Sequence, residues 1–261
     1  MIRGIDHLVI ACEDPDAAAA ELESSLGLKA TGGGRHERLG TFNRIAWLAD
    51  GSFLELIGVE DETVAEGNPI GGAVMRSLRS GGGLATYALL DDDLEVTAGT
   101  LAAAGTFGPV TAGSRRRPDG ELVEWWVSVP DVDLGPTVAP FLIQHAYTGA
   151  EWGLAALDER ARFQHPIGSP VALARLDIAT PEPPSAAATI HEQLGIDFWS
   201  VADLAVAQVG SHVLRFVPRG QVPVPAIVTL AAENEAPRTA ELLGLRFDVE
   251  RAELPVTSGR G

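Results

Sequence analysis

His7 and Glu55 are the residues whose types and spacing invite chemistry. The run Ile5-Asp6-His7-Leu8-Val9 alternates as a half-buried strand does, which puts Ile5, His7 and Val9 on one face. A second run, Phe53-Leu54-Glu55-Leu56-Ile57, sets Glu55 between two apolar residues on the core-facing side of another strand. A buried imidazole or carboxylate is costly unless it is bonded or coordinated. Both are also good ligands for a borderline or hard divalent cation. Two readings therefore stand side by side: a His–Glu hydrogen-bonded pair inside a barrel, or part of a metal site.

Around this pair lie further candidates. His36 and Asn43 flank a glycine-rich entrance, and on a strand from Thr41 the residues Thr41, Asn43, Ile45 and Trp47 share one face. That face aims Asn43 and Trp47 into the enclosed space. His36 is either a proton carrier near neutral pH or a surface-loop histidine. Trp125 and Trp126 fall on opposite faces of one strand, so one lines the cup, and Trp126 is assigned to it with Arg35 as substrate-binding. The run Arg115-Arg116-Arg117 is either a solvated turn or a greeting for an anionic substrate. His165, His191 and His212 show no partner spacing and read as structural.

These side chains need strands to hold them, and the elements recur. Residues 17–26 form a helix by propensity, opened by Asp14-Pro15-Asp16 and closed by Gly27. Strands at 41–48 and 52–59 follow, after a weaker one, giving a β–α–β–β–β unit. A shift of 168 residues lays Leu26-Gly27 on Leu194-Gly195 and Ile10-Ala11 on Ile178-Ala179. The same shift lays Arg175 on His7, and Arg215 falls near the place of Glu55. A second unit is read from strands at 83–90, 121–129 and 140–145 with a helix at 91–104. A shortened fourth is read from strands at 226–230 and 245–250 with a helix at 234–243. The expected fold class is α+β: repeated βαβββ modules whose curled mixed sheets form cup-like half-barrels, helices outside. Two modules fill 1–148, a packed connector 149–170, and a shortened pair 171–261.

Composition narrows the partners. A net charge of −17 argues against nucleic acid, and no apolar run approaches the roughly 20 residues of a membrane span. The sequence goes from Met1 straight into a strand-like run without a secretory leader, and the one cysteine, Cys12, fits a reducing cytoplasm. The expected partner is a small-molecule substrate or ligand, and any self-association is expected to be a homodimer. Phosphate loops, nucleophile elbows and the His-Glu-x-x-His zinc motif are missing.

The segments Gly4-Ile5-Asp6-His7-Leu8-Val9-Ile10-Ala11 and Phe53-Leu54-Glu55-Leu56-Ile57 resemble the first and fourth strands of vicinal-oxygen-chelate modules. Gly33-Gly34-Arg35-His36, Gly40-Thr41-Phe42-Asn43-Arg44 and Arg115-Arg116-Arg117-Pro118-Asp119-Gly120-Glu121 resemble the glyoxalase-like branch. The likeness spans roughly residues 2–146. It implies a divalent metal (Zn, Ni, Mn or Fe) held by a His or Gln and a Glu from each of two modules. Here His7 and Glu55 fill one pair. The second pair departs: Ala85 and Ile143 fall where a histidine and a glutamate are expected, leaving Gln144 and His145 as substitutes after a one-residue register change. The resemblance implies a lyase or isomerase with Glu55 or His36 moving the proton. Its alternative is a non-catalytic binder of the antibiotic-sequestering kind.

Overall fold

The computed structural model describes residues 1–130, 138–233 and 237–252. The first module runs β1 (Ile2–Ala11), α1 (Pro15–Leu26), β2 (Gly32–His36), β3 (Thr41–Trp47) and β4 (Phe53–Val59). Helix α1 starts where the Asp14 carboxylate accepts the Asp16 and Ala17 amides, and it ends at Gly27 in the left-handed region. Two helices that periodicity alone does not reveal follow, α2 (Glu62–Glu66) and α3 (Pro69–Arg79). Their starts were nonetheless written in the sequence: Asp61 caps Val64, and Asn68 before Pro69 caps Ile70 and Gly71.

The second module is β5 (Gly83–Asp91), α4 (Leu94–Ala103), β6 (Thr111–Arg116), β7 (Leu122–Ser128) and β8 (Pro140–His145). All eight strands close into one barrel in the order β1-β4-β3-β2-β6-β7-β8-β5. One seam is thin, since β2 and β6 share the single register pair Arg35↔Arg116. The connector folds as a 3-10 turn at Ala150–Trp152 and a helix α5 (Leu154–Arg162).

The third module repeats the first as β9 (Val171–Thr180), α6 (Pro183–Leu194), β10 (Trp199–Val201), β11 (Leu204–Val209) and β12 (His212–Pro218). Strand register bears the repeat out. His7 lies opposite Phe53 and Val9 opposite Glu55 in β1 and β4; Arg175 lies opposite Val213 and Asp177 opposite Arg215 in β9 and β12. The last strands are β13 (Ala226–Ala232), β14 (Arg238–Leu242) and β15 (Leu245–Arg251). The helix expected over 234–243 is corrected here. Residues 234–236 lie outside the described residues, and 238–242 form a strand paired antiparallel to β15 across the two-residue turn Leu243-Gly244. Both turn residues have positive φ, 53° and 68°, as a type I′ hairpin requires. Pairing with β15 overrides the helix propensity of Ala-Glu-Leu-Leu. The second sheet therefore has seven strands, β10-β11-β12-β9-β13-β15-β14, and stays open.

One large apolar core joins the two sheets. It holds Leu8 and Ile10 on the outside of β1, Leu22 and Leu26 of α1, and Leu176, Phe216 and Phe247 of the second sheet. A polar fastener crosses the same interface. His212 accepts the Ile5 amide at Nδ1 (2.9 Å), and its Nε2 lies 2.9 Å from Asp50. Asp50 also takes the Leu173 amide (3.1 Å). Contact is close enough that Gly210, at φ +62°, would put a Cβ 1.8 Å from the Arg3 carbonyl. Replacing His212 by Ala strands a buried amide and a buried carboxylate, so we expect a loss of about 3 kcal/mol in urea unfolding.

Candidate functional site

The site sits inside the closed barrel, and its geometry starts with an irregularity in β1. Opposite β5, Ile5 pairs with Leu89 and His7 with Ala88, so one residue, Asp6, is extra. The bulge turns Asp6 and His7 to the same interior. Ile5, expected beside His7, instead packs in the outer core. Asp6 then meets two imidazoles: His7 Nδ1 at 2.7 Å and His145 Nε2 at 3.0 Å from each oxygen. Burial alone would raise the Asp6 carboxyl, but charge and hydrogen bonding from His145, then from His7, outweigh it and hold the group well below the ordinary carboxylate range.

Held through Nδ1, the His7 ring stacks on Phe53 at 4.4 Å between centroids and turns its Nε2 inward, 3.7 Å from Glu55 Oε2. The other Glu55 oxygen accepts from Asn43 Nδ2 at 2.6 Å. Asn43 Oδ1 accepts the Gly34 amide (2.8 Å), and Nδ2 also lies 3.4 Å from His36 Nε2. That network leaves His36 donating from Nδ1 to Thr41 Oγ1 (2.9 Å). Burial, opposed by Glu55 and aided by Arg115 and His7, pulls His36 down to about 4. His36 is therefore neutral near pH 7 and changes charge only in acid.

The remaining walls are Trp47, Trp125, Phe141 and Ile143, and the cavity among them measures about 50 Å³. The connector closes one side. Glu151 grips Arg115 with both oxygens (2.7 and 2.9 Å), the Trp152 ring lies tilted against His145 at 4.4 Å between centroids, and Arg160 lies 3.7 Å over the Trp47 ring. Arg115 also donates to the Gly33 carbonyl across the β2–β6 seam (2.7 Å).

Of the candidates read from the sequence, His7, Glu55, His36, Asn43, Trp47 and His145 come together in this one cavity. Arg35, Trp126 and Gln144 do not. Arg35 points outward to Glu60. Trp126 is 41% exposed, and its neighbour Trp125 lines the cavity instead, because β7 begins its alternation one residue off the assignment. Gln144 accepts the Leu94 amide outside the barrel (2.9 Å). Sequence reasoning missed Asp6, Glu151 and Trp152. Only the bulge brings the first inside, and only the fold of the connector brings the other two. Cys12 is buried and its thiol is raised to about 12, which removes it as a nucleophile.

A divalent centre of the four-ligand kind does not fit these residues. Strand register gives the partner positions directly: Ala88 opposite Phe141 matches His7 opposite Phe53, so Ala88 rather than Ala85 is the equivalent of His7. Leu90 opposite Ile143 likewise matches Val9 opposite Glu55. Ala88 and Ile143 are both apolar and packed in the barrel core. His145, one step further along the same face, has its Nε2 committed to Asp6. Among the described residues no three His, Cys, Asp or Glu side chains converge as a metal site requires.

The closed barrel of paired βαβββ modules, with a strand-one histidine facing a strand-four glutamate, agrees with the resemblance to vicinal-oxygen-chelate modules read from the sequence. More particularly, residues 5–194 match the family described as "Glyoxalase-like domain", and the chain belongs to it. Among solved structures it is similar to a hypothetical protein from Staphylococcus aureus, with TM-score 0.77, 16% identity, and coverage of 95% of this chain and 99% of that one. It is also similar to a mutant 4-hydroxymandelate synthase from Streptomyces coelicolor, with TM-score 0.57, 12% identity, and coverage of 90% and 72%. A methylmalonyl-CoA epimerase from Streptomyces coelicolor matches over 56% of this chain and 99% of its own, at 21% identity and TM-score 0.43. No curated protein matches the sequence.

The buried neutral His36 sets a pH dependence. An unfolded histidine titrates near 6.5 and this one at about 4, so the unfolded chain binds the extra proton between them. The stability His36 contributes is complete above about pH 6.5 and falls, by up to about 3 kcal/mol, as pH drops toward 4. Burial lowers His165 as well, which adds a loss of the same sign on acidification. Urea unfolding followed from about pH 7 to about pH 4.5 should show this loss, and His36→Gln should flatten part of it.

Proposed function

We propose that the barrel is the active site of a small-molecule enzyme of the lyase or isomerase kind, in which His7 and Glu55 move a proton on the bound substrate. The observation that carries this reading is the pair itself: His7 Nε2 stands 3.7 Å from Glu55 Oε2, with the far side of the imidazole bonded to a buried carboxylate. An ionised Asp6 fixes the His7 tautomer with its proton on Nδ1, which leaves Nε2 as a base facing the cavity. One of the two groups takes a proton from carbon next to a carbonyl. The other holds a proton that it returns to the neighbouring atom, so the reaction is a net isomerisation or, with a leaving group, an elimination. Asn43 keeps Glu55 in place, and neutral His36 seals the side of the cavity without adding charge. No step is assigned to a metal. The lone buried cysteine supports a cytoplasmic setting.

The second reading, a binding protein without catalysis, draws on the aromatic walls and on the apolar Ala88 and Ile143 where further catalytic groups would stand. Proton exchange separates the two. Incubated in D2O with small α-hydroxyketones, the enzyme should catalyse deuterium uptake at the carbon beside the carbonyl, read by mass spectrometry. His7→Gln and Glu55→Gln should each lower that rate roughly 100-fold or more. Asp6→Asn should lower the rate as well, because the carboxylate that fixes the His7 ring through Nδ1 is gone. Prior treatment with chelator should leave the rate unchanged. If Glu55→Gln exchanges as fast as the parent protein, the barrel is a binding site only.

A further inference from the structure

At about 50 Å³ the barrel cavity has room for roughly four water-sized groups, so only a short reactive end can enter it. Beside it lies a cleft of about 750 Å³, bounded by β2 and β3, the turn between β6 and β7, and the connector helix α5. Trp47 and Glu151 line both spaces, so the two adjoin. Whatever a substrate carries beyond its reactive end has this cleft to occupy.

Three arginines face the cleft, and two of them are occupied. Arg44 binds Asp16, and Arg117 binds Asp119 and Glu121. Arg160 is different. Half-buried on α5, it lies 3.7 Å over the Trp47 ring and 5.2 Å from that of Trp152, and its hydrogen bond goes to the Glu151 carbonyl. It makes no ion pair among the described residues, and the Glu151 carboxylate is committed to Arg115. Burial pulls the Arg160 guanidinium down to about 10; Glu151 and Glu159 oppose the fall, while Arg115 and Arg117 add to it. Its charge is thus incompletely neutralised. A guanidinium laid on an aromatic face keeps its N–H donors in its own plane, and most of them remain for a ligand.

We infer that the cleft binds a carboxylate of the substrate, with Arg160 as the fork that grips it and Trp47 as the platform that steadies the fork. This rests on the barrel being the working site and adds the substrate class: a small carboxylic acid whose carbonyl-bearing end reaches His7 and Glu55. The way between is aromatic, Trp47 lying 4.7 Å from Phe53 and Phe53 4.4 Å from His7 between centroids. A singly charged carboxylate suits the cleft better than a phosphate, whose second negative charge would meet Glu151 and Glu159.

The test is calorimetric titration of the full chain with phenylacetate and its uncharged isostere phenylacetamide, whose ring Trp47 and Phe163 can receive. Phenylacetate should bind at least tenfold more tightly. Arg160→Gln should erase that difference by weakening phenylacetate alone. Arg160→Lys, which keeps the charge without the fork, should retain part of it, and Arg44→Gln should leave it intact. If Arg160→Gln fails to fold, the two ligands on the parent protein and on Arg160→Lys still decide. Equal affinity for the two ligands, a preference that survives in Arg160→Gln, or no binding of phenylacetate would each overturn the inference. Charge-selective binding that depends on Arg160, with no deuterium exchange on any ketone, supports the inference and overturns the catalytic reading. Exchange without any charge preference does the reverse.

Discussion

Asp6 between two imidazoles is the interaction on which the site depends. A lone carboxylate in this interior would be protonated or excluded. Two ring nitrogens at 2.7 and 3.0 Å make it a stable anion, and the anion in turn orients both rings. Every other feature of the cavity inherits that order. His7 can face Glu55 because its opposite nitrogen is fixed, and His145 presents Nδ1 to the wall because its Nε2 is taken. The bulge that makes this possible sits beside the Ile5 amide held by His212, so the second sheet reaches to within two residues of His7.

The two halves carry the same backbone plan with opposite chemistry. In the barrel the paired strands β1 and β4 present His7 and Glu55. At the same register in β9 and β12 stand Arg175 and Arg215, both bonded to Asp177. Permanently charged guanidinium groups neither ligate a cation nor give up a proton at working pH. Their pairing to one buried carboxylate closes the network on itself. The sheet also stays open where the barrel has β6, and its apolar side packs on the barrel. The C-terminal half acts as a buttress to the N-terminal half.

Much of this was legible in the sequence. The offset of 168 residues that lays Arg175 on His7 proved to be the true register, because strand pairing and helix starts are set by local alternation and capping that a reader can count. His7, Glu55 and Asn43 were placed on inward faces the same way, and they line one cavity. What escaped reading came from non-local causes. A bulge is invisible to a period-two argument, so Asp6 was hidden and Ile5 misplaced. Trp125 and Trp126 differ by one residue of register, which only the pairing with β8 fixes. Residues 238–242 carry a helix-former's composition, and their pairing with β15 decided otherwise.

The thin seam between β2 and β6 has a wider meaning. A ladder with a single rung cannot hold a cylinder shut by backbone hydrogen bonds alone, and a side chain supplies the stitch. Arg115 spans the gap to the Gly33 carbonyl with one arm and clasps the connector through Glu151 with the other. A planar fork can serve two directions at once, as the single ammonium of a lysine cannot. Rounding off the cylinder and seating the segment beyond it therefore share one guanidinium, so neither contact is lost without loosening the other.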